Sequence, residues 1–155
     1  MTKEELMRRA IALSEENVKK GGGPFGAVIA KDGEIIAEGT NRVTANNDPT
    51  AHAEMEAIRA ASRCLKTFDL SGCEIYTSCE PCPMCLGAIY WAHIDRMYYG
   101  NGKKDAARIG FDDAFIYEEL GRIPEKRRLR SEVMLAGEAG KAFLMWEEKA
   151  DKVKY

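Results

Sequence analysis

The sequence has no long apolar run. Its longest, such as Ala27–Ala30 and Leu86–Ala92, fall far short of the roughly 20 residues a membrane-spanning helix needs. A secretory leader is missing too: the start, MTKEELMRRA, is charged and helical, with no apolar stretch leading to a small-residue cleavage site. These absences predict a cytoplasmic protein without membrane association. Nor is there an excess of one charge. Lys and Arg number 23 against 25 Asp and Glu, a formal net charge of −2, so no global field attracts a polyanion. Lys103-Lys104 and Lys126-Arg127-Arg128 sit amid Asp and Glu and read as solvated faces, so a nucleic-acid partner is not expected. Repeats, low-complexity tracts and linkers are also lacking. Cysteines number five, an odd count. Three of them, Cys79, Cys82 and Cys85, are packed closely, which suits a metal site better than a disulfide framework.

What is present is an ordinary globular composition, 45% hydrophobic and 31% charged over 155 residues. A chain of that length buries about 70% of its extended surface, enough to fold without staples. One domain over 1–155 is expected, ending in a helix and tail over about 137–155. Thr2-Lys3-Glu4-Glu5 is a capping box, followed by Leu6, Ala10, Leu13 and Asn17 at helical spacing. Gly21-Gly22-Gly23-Pro24 ends that helix. Two strand-like runs, FGAVIAK and EIIAEGT, flank the hairpin signal Asp32-Gly33. Asp48-Pro49-Thr50 is expected to cap a helix over about Ala51–Cys64. Cys73–Thr77 and Arg96–Tyr99 read as strands around a helix that opens at Pro83 and runs to about Ala92. Asp112–Leu120 is expected as a short helix, Leu129–Leu135 as a strand and Glu138–Lys149 as a closing helix. Strands alternating with helices predict an α/β fold: a three-layer α/β/α sandwich around a central mixed five-stranded sheet, one helix on one face and two or more on the other.

Three fragments carry chemistry: His52-Ala53-Glu54, Pro81-Cys82 and Cys85. Their order, H-x-E and then P-C-x-x-C, is that of zinc-dependent deaminases. Zinc favours imidazole and thiolate donors, and a catalytic site keeps one of its four positions for water. His52, Cys82 and Cys85 supply three donors, and no compelling fourth follows. His93 falls near the far end of the Cys85 helix, away from the metal. Cys82 and Cys85 stand at a helix start, where the partial positive charge favours thiolates. His52 and Glu54 are two residues apart, about 200° around a helix. His52 is therefore expected to bind the metal and Glu54 to reach the attacking water from another side. A redox Cys-x-x-Cys pair is the blander reading of Cys82 and Cys85. A ferredoxin-type cluster fails because Ile89 stands where the fourth cysteine belongs. Cys64, Cys73 and Cys79 read as small core residues.

At PTAHAEMEAIRAA and YTSCEPCPMCLGAIYWA the chain resembles the cytidine deaminase-like superfamily, in the branch that holds guanine deaminases and tRNA adenosine deaminases. The likeness spans nearly the whole chain. With GGPFGAVI, NDPTAHAE and GFDD-x-FIY, it is most similar to the small bacterial-type guanine deaminases. That resemblance implies one zinc per chain on His52, Cys82 and Cys85, with Glu54 as proton shuttle. It implies substrate contacts from Asn41, Asp113, Tyr155, Phe25 and Trp91: Asn41 bonding the base, Asp113 reading the purine edge, Tyr155 closing the pocket, Phe25 and Trp91 lining it. It further implies a small purine base and water as substrates, and a homodimer whose C-terminal segment can swap between subunits. His93 is a departure, standing where relatives often carry Arg. The residues themselves leave blander roles open. Asn41 follows a strand and suits a turn, Asp112 and Asp113 suit helix caps, Phe25 and Trp91 suit a core, and Tyr155 is a chain end. A carboxylate accepts only, so Asp113 matches the N1–H and 2-amino donors of guanine and would repel the N1 acceptor of adenine. Deamination of guanine to xanthine and ammonia is the expected reaction; a tRNA adenosine deaminase and a guanosine or cytosine deaminase are the alternatives.

Overall fold

Thr2 opens the first helix as its capping pattern requires. Its hydroxyl accepts from Glu5 N at 3.2 Å, and Glu5 Oε2 accepts from Thr2 N at 2.7 Å, satisfying donors that a helix start otherwise leaves orphaned. In this computed structural model, which describes residues 1–155, helix α1 spans Lys3–Lys19 and buries Leu6, Ala10, Leu13 and Asn17, the four positions given by helical spacing. Strands β1 (Gly26–Lys31) and β2 (Glu34–Thr40) form the expected hairpin. Its turn holds Asp32 at φ 50° and Gly33 at φ 78°, the left-handed pair that matches strand twist. A short helix α2 (Val43–Asn46) follows, then α3 (Ala53–Leu65), β3 (Cys73–Cys79), α4 (Pro83–Trp91), β4 (Arg96–Asn101), α5 (Lys103–Arg108), α6 (Ala114–Leu120) and α7 (Ala136–Glu148), with one 3₁₀ turn at Pro124–Lys126.

The sheet order is β2-β1-β3-β4. β1 runs antiparallel to both neighbours, and β3 and β4 are parallel, joined through α4. One face packs on α1 around Leu6, Ala10, Leu13, Val28, Ala30 and Tyr76. The other buries Ala27, Ile29, Ala57, Ala61, Ile75 and Ile89 beneath α3 and α4. The mixed sheet and the α/β/α layering are as expected. A Cβ at Gly39 would strike Ala53 O and Ala57 N, so this glycine lets the start of α3 lie directly on β2.

Four sequence expectations need correction. The sheet has four strands, not five: Leu129–Leu135 forms no strand, and Leu129 and Val133 are exposed, because Arg130-Ser131-Glu132 breaks the apolar alternation and no neighbouring strand pairs with its backbone. Helix α3 starts at Ala53 with His52 as N-cap; Asp48 instead closes its own turn, accepting from Thr50 N and Oγ1 at 2.8 and 2.7 Å. Cys64 is exposed, whereas Cys73 and Cys79 are buried. The short helices α2 and α5 occur where no helix was expected.

The chain divides into two units, Met1–Ala114 and Phe115–Tyr155. The second holds most of α6, the 3₁₀ turn and α7. Within it, Arg127 Nε donates to the carbonyls of Glu119 and Arg122 at 2.9 and 3.1 Å, and the Arg128 guanidinium lies 5.9 Å from the Phe115 ring centroid. None of its residues is fully buried.

Candidate metal centre and active site

Two helix starts converge in the first unit. His52 is the N-cap of α3 and Cys82 the N-cap of α4, both in extended backbone, and neither side chain caps its own helix. They turn toward each other instead. Pro83 takes the first helical position of α4, where its missing N–H costs nothing, and Cys85 follows one turn on, fully buried. Both helices direct their positive dipole ends at this spot.

His52 Nδ1 lies 3.6 Å from Cys82 Sγ and 3.5 Å from Cys85 Sγ, and the donor atoms of the three residues all fall within 4.8 Å of one another. Tetrahedral zinc with ordinary Zn–S and Zn–N bonds would place nitrogen and sulfur about 3.6 Å apart. The spacing therefore fits a Cys₂His zinc site, with Nδ1 as the imidazole donor. His93, just past α4 at φ 58°, does not belong to this cluster. Neither blander reading of the cysteines accounts for a histidine shared between both sulfurs.

The protonation pattern suits a cation. The thiol of Cys85 and the imidazole of His52 hydrogen-bond Cys82 and hold it down at about 4, the Cys85 bond being the larger cause and burial opposing both. Cys85 is pushed up, first by donating to the Cys82 sulfur and then by burial. His52 is raised, chiefly by its bond to Cys82. A divalent charge at the shared point would take over from these protons. Glu54, on the first turn of α3, is 7% exposed. Burial drives its carboxyl up, against hydrogen bonds from its own backbone and from Cys85. A carboxyl that readily holds a proton, touching one metal donor, is a candidate proton shuttle. Cys79 lies in the same surroundings, its thiol pushed up to about 11 by burial and by the Glu54 and Asp113 charges.

The substrate-side expectations fall as follows. Phe25 is half-buried, packs on the α3–α4 core and meets Phe111 edge-on, ring centroids 4.9 Å apart at 87°. Asn41 is half-buried; its Oδ1 accepts from Val43 N at 3.1 Å, and its carbonyl accepts from Asn17 Nδ2 at 2.9 Å. Asp113 is half-buried, and its carboxyl is raised by burial and then by the nearby Cys82 charge, while Lys103 lowers it. Its neighbour Asp112 spends Oδ1 on Ala114 N at 3.0 Å, at the start of α6. Trp91 ends α4 and is 67% exposed. Tyr155 belongs to the second unit. Three residues near the site escaped the sequence reading. Glu80 and Lys103 form an ion pair at 3.3 Å, and Phe111 is the partner of Phe25. Glu80 and Phe111 lie inside the YTSCEPCPMCLGAIYWA and GFDD-x-FIY motifs with no role given to either, and Lys103 reads in the sequence as part of a solvated face.

Residues 1–101 match the profile of the cytidine and deoxycytidylate deaminase zinc-binding region, and the chain belongs to this family of zinc-dependent hydrolytic deaminases. Among individual proteins, it is 51% identical to the guanine deaminase of Bacillus subtilis over the full length of both chains. The crystal structure of that enzyme superposes with a TM-score of 0.96 over 100% of this chain and 99% of that one. A guanine deaminase structure from Nitrosomonas europaea is 34% identical, with a TM-score of 0.70 over 89% of this chain and 72% of that one. The tRNA-specific adenosine deaminase of Aquifex aeolicus is 43% identical over 64% of this chain and 66% of its own. No helix is long and apolar enough to cross a membrane.

Proposed function

We infer that this chain catalyses the zinc-dependent hydrolysis of guanine to xanthine and ammonia. The observation that carries the reading is the three-donor cluster with Glu54 buried against it, in a chain that matches a guanine deaminase from end to end. The tRNA adenosine deaminase relative covers only part of either chain, which favours a free base over a nucleic acid.

His52 Nδ1, Cys82 Sγ and Cys85 Sγ would hold the zinc, which would supply the acidity that makes water nucleophilic near neutral pH. Glu54 takes that water's proton and passes it to a ring nitrogen of the base. It then takes a second proton from the hydroxyl added at C2 and gives it to the departing amino nitrogen. One C–O bond forms at C2 of guanine, the C2–N bond breaks, and ammonia leaves. In this reading Asp113 accepts from the N1–H and 2-amino groups, and Asn41 offers its amide to the remaining base edge. Phe25 and Trp91 flank the ring, and Tyr155 closes over it.

The same reading makes the protein a single deaminase domain with a C-terminal arm, working as a homodimer in which that arm can be exchanged. Its support is the arm's surface: Phe143, Leu144, Met145 and Trp146 on α7 are 42–80% exposed, a run of exposed apolar side chains of the kind found at protein–protein contacts. A cytoplasmic setting, where thiols stay reduced, suits five free cysteines. A panel of guanine, guanosine, cytosine, adenine and tRNA, scored by ammonia release, tests the substrate. Guanine should dominate, and preference for any other member would replace it.

A further inference from the structure

The loop that carries the metal donors and the arm that carries Asp113 lie far apart in sequence, yet one side chain joins them. Glu80 sits between the end of β3 and Cys82. Its backbone N–H donates to Asn101 O at 2.8 Å, continuing the parallel β3–β4 pairing that ends at Cys79 and Asn101. Its carboxylate then takes both ends of Lys103: Oε1 accepts from the backbone N–H at 3.4 Å, and Oε2 pairs with Nζ at 3.3 Å. Lys103 is the first residue of α5, a helix whose start is also tied by Asp105 Oδ2 accepting from Gly102 N at 2.8 Å.

The far end of α5 is the root of the Asp113 arm. Gly110 N and Phe111 N donate to Ala107 O and Ala106 O at 3.1 and 3.0 Å, and Ala106 is buried. Phe111 meets Phe25 edge-on, and Asp113 follows two residues later. The arm thus hangs from α5 at one end and from an aromatic contact at the other. The ammonium of Lys103 is close enough to Asp113 to pull its carboxyl down, and the Glu80 charge pushes the other way. Lys103 therefore touches both the metal loop and the field at Asp113.

We propose that Lys103, held by Glu80, is a positioning residue that fixes the Asp113 arm relative to the metal loop and so sets substrate affinity through Asp113. This rests on the reading of Asp113 as the carboxylate that recognises the base. Removing a pair that only stabilised the fold would lower apparent kcat through a smaller folded fraction and leave KM unchanged. A pair acting through Asp113 raises KM while leaving zinc and the Glu54 proton transfer in place.

The test uses Lys103→Ala, Lys103→Arg, Glu80→Gln, Asp113→Asn and the double variant Lys103→Ala/Asp113→Asn, each as full-length zinc-loaded protein. Lys103→Ala and Glu80→Gln should raise the KM for guanine on the order of tenfold or more, as small misplacements of a recognition group do. Their kcat should stay within a few-fold and zinc at one per chain. Lys103→Arg should restore most of the loss. In the Asp113→Asn background, Lys103→Ala should cost nothing further, since coupled residues fail to add. Equal cost in both backgrounds, an unchanged KM or loss of zinc would overturn the proposal. Hydrogen exchange gives a second readout that needs no substrate. Amides of residues 109–113 should exchange faster in Lys103→Ala while those of β1 and β3 do not; an unchanged arm also overturns it. If the wild type ignores guanine but the arm still responds, the substrate reading fails and the tether stands.

Discussion

At the scale of single residues, the chemistry concentrates in groups whose ionisation is set by burial and by one another. Glu54 is the sharpest case. Replacing it by Gln keeps the shape of a neutral carboxyl and removes the proton shuttle, a role worth about 10²–10⁴-fold. Glu54→Gln should retain zinc and melting temperature while kcat falls by that amount, and activity within a few-fold of wild type would take Glu54 out of the mechanism. Asp113 and its neighbour form a second test. Asp112 is occupied by Ala114 N, whereas Asp113 is raised by burial and sits in the field of Cys82. Asp113→Asn, which gives the base edge a donor as well as an acceptor, should weaken guanine turnover and narrow the preference over adenine. Asp112→Asn should leave both nearly as they were, and the reverse result would assign the purine edge to the wrong neighbour. A metal donor set of this kind is readable from sequence because two of its three members share one helical turn and the third opens an H-x-E. The Glu80–Lys103 pair is not, because it closes across 23 residues and nothing in the sequence around either residue points to the other.

At the scale of elements, the legible parts are those fixed by neighbours in sequence. The Thr2 capping box, the buried face of α1, the Asp32-Gly33 hairpin and the β3–α4–β4 crossover all follow from local spacing and turn chemistry. The departures follow from tertiary context. α5 is too short to be stable alone and stands on Asp105 and Glu80. Leu129–Leu135 has a half-alternating pattern but no strand to pair with. α3 starts two residues late because Ala51 N and His52 N are used in the preceding turn, donating to Asp48 O and Thr50 O, and His52 stays in extended backbone as the N-cap. One tie between elements has a definite pH signature. Arg9 on α1 donates to both oxygens of Glu38 on β2, at 2.6 and 2.9 Å, and this bond lowers the Glu38 carboxyl. Its stabilising share is therefore present above the unfolded carboxyl value of about 4.3, and is lost as pH falls through the lower folded value. Both side chains are about a third exposed, so solvent screening holds the share to about 1 kcal/mol or less. Glu38→Gln should cost that amount in urea titrations at pH 7, and the gap should close below about pH 4. A gap that widens on acidification would contradict the assignment.

At the scale of the whole molecule, a four-stranded α/β/α unit carries the metal donors, and the second unit, Phe115–Tyr155, has no buried residue of its own. A tail that closes the pocket should act on catalysis and not on folding. Lys152 Nζ donates to the carbonyls of Glu147 and Lys149 at 2.8 and 3.2 Å and supports the end of α7, so a clean deletion removes only Val153–Tyr155. That deletion should leave melting temperature and zinc content nearly unchanged and reduce guanine turnover strongly. Mixing it with Glu54→Gln subunits locates the tail. Tails that reach the partner's site rebuild one working site per mixed dimer and return activity, whereas tails that serve their own subunit return none. Full activity in the deletion alone would make the tail an ordinary chain end. The central claim is tested most directly by incubating zinc-loaded wild-type protein with guanine and following xanthine and ammonia against bound metal. The account requires about one zinc per chain, xanthine and ammonia in equal amounts, and loss of both metal and turnover in His52→Ala and Cys82→Ala. Iron with acid-labile sulfide in place of zinc, or guanine left intact by the fully zinc-loaded protein, would contradict it.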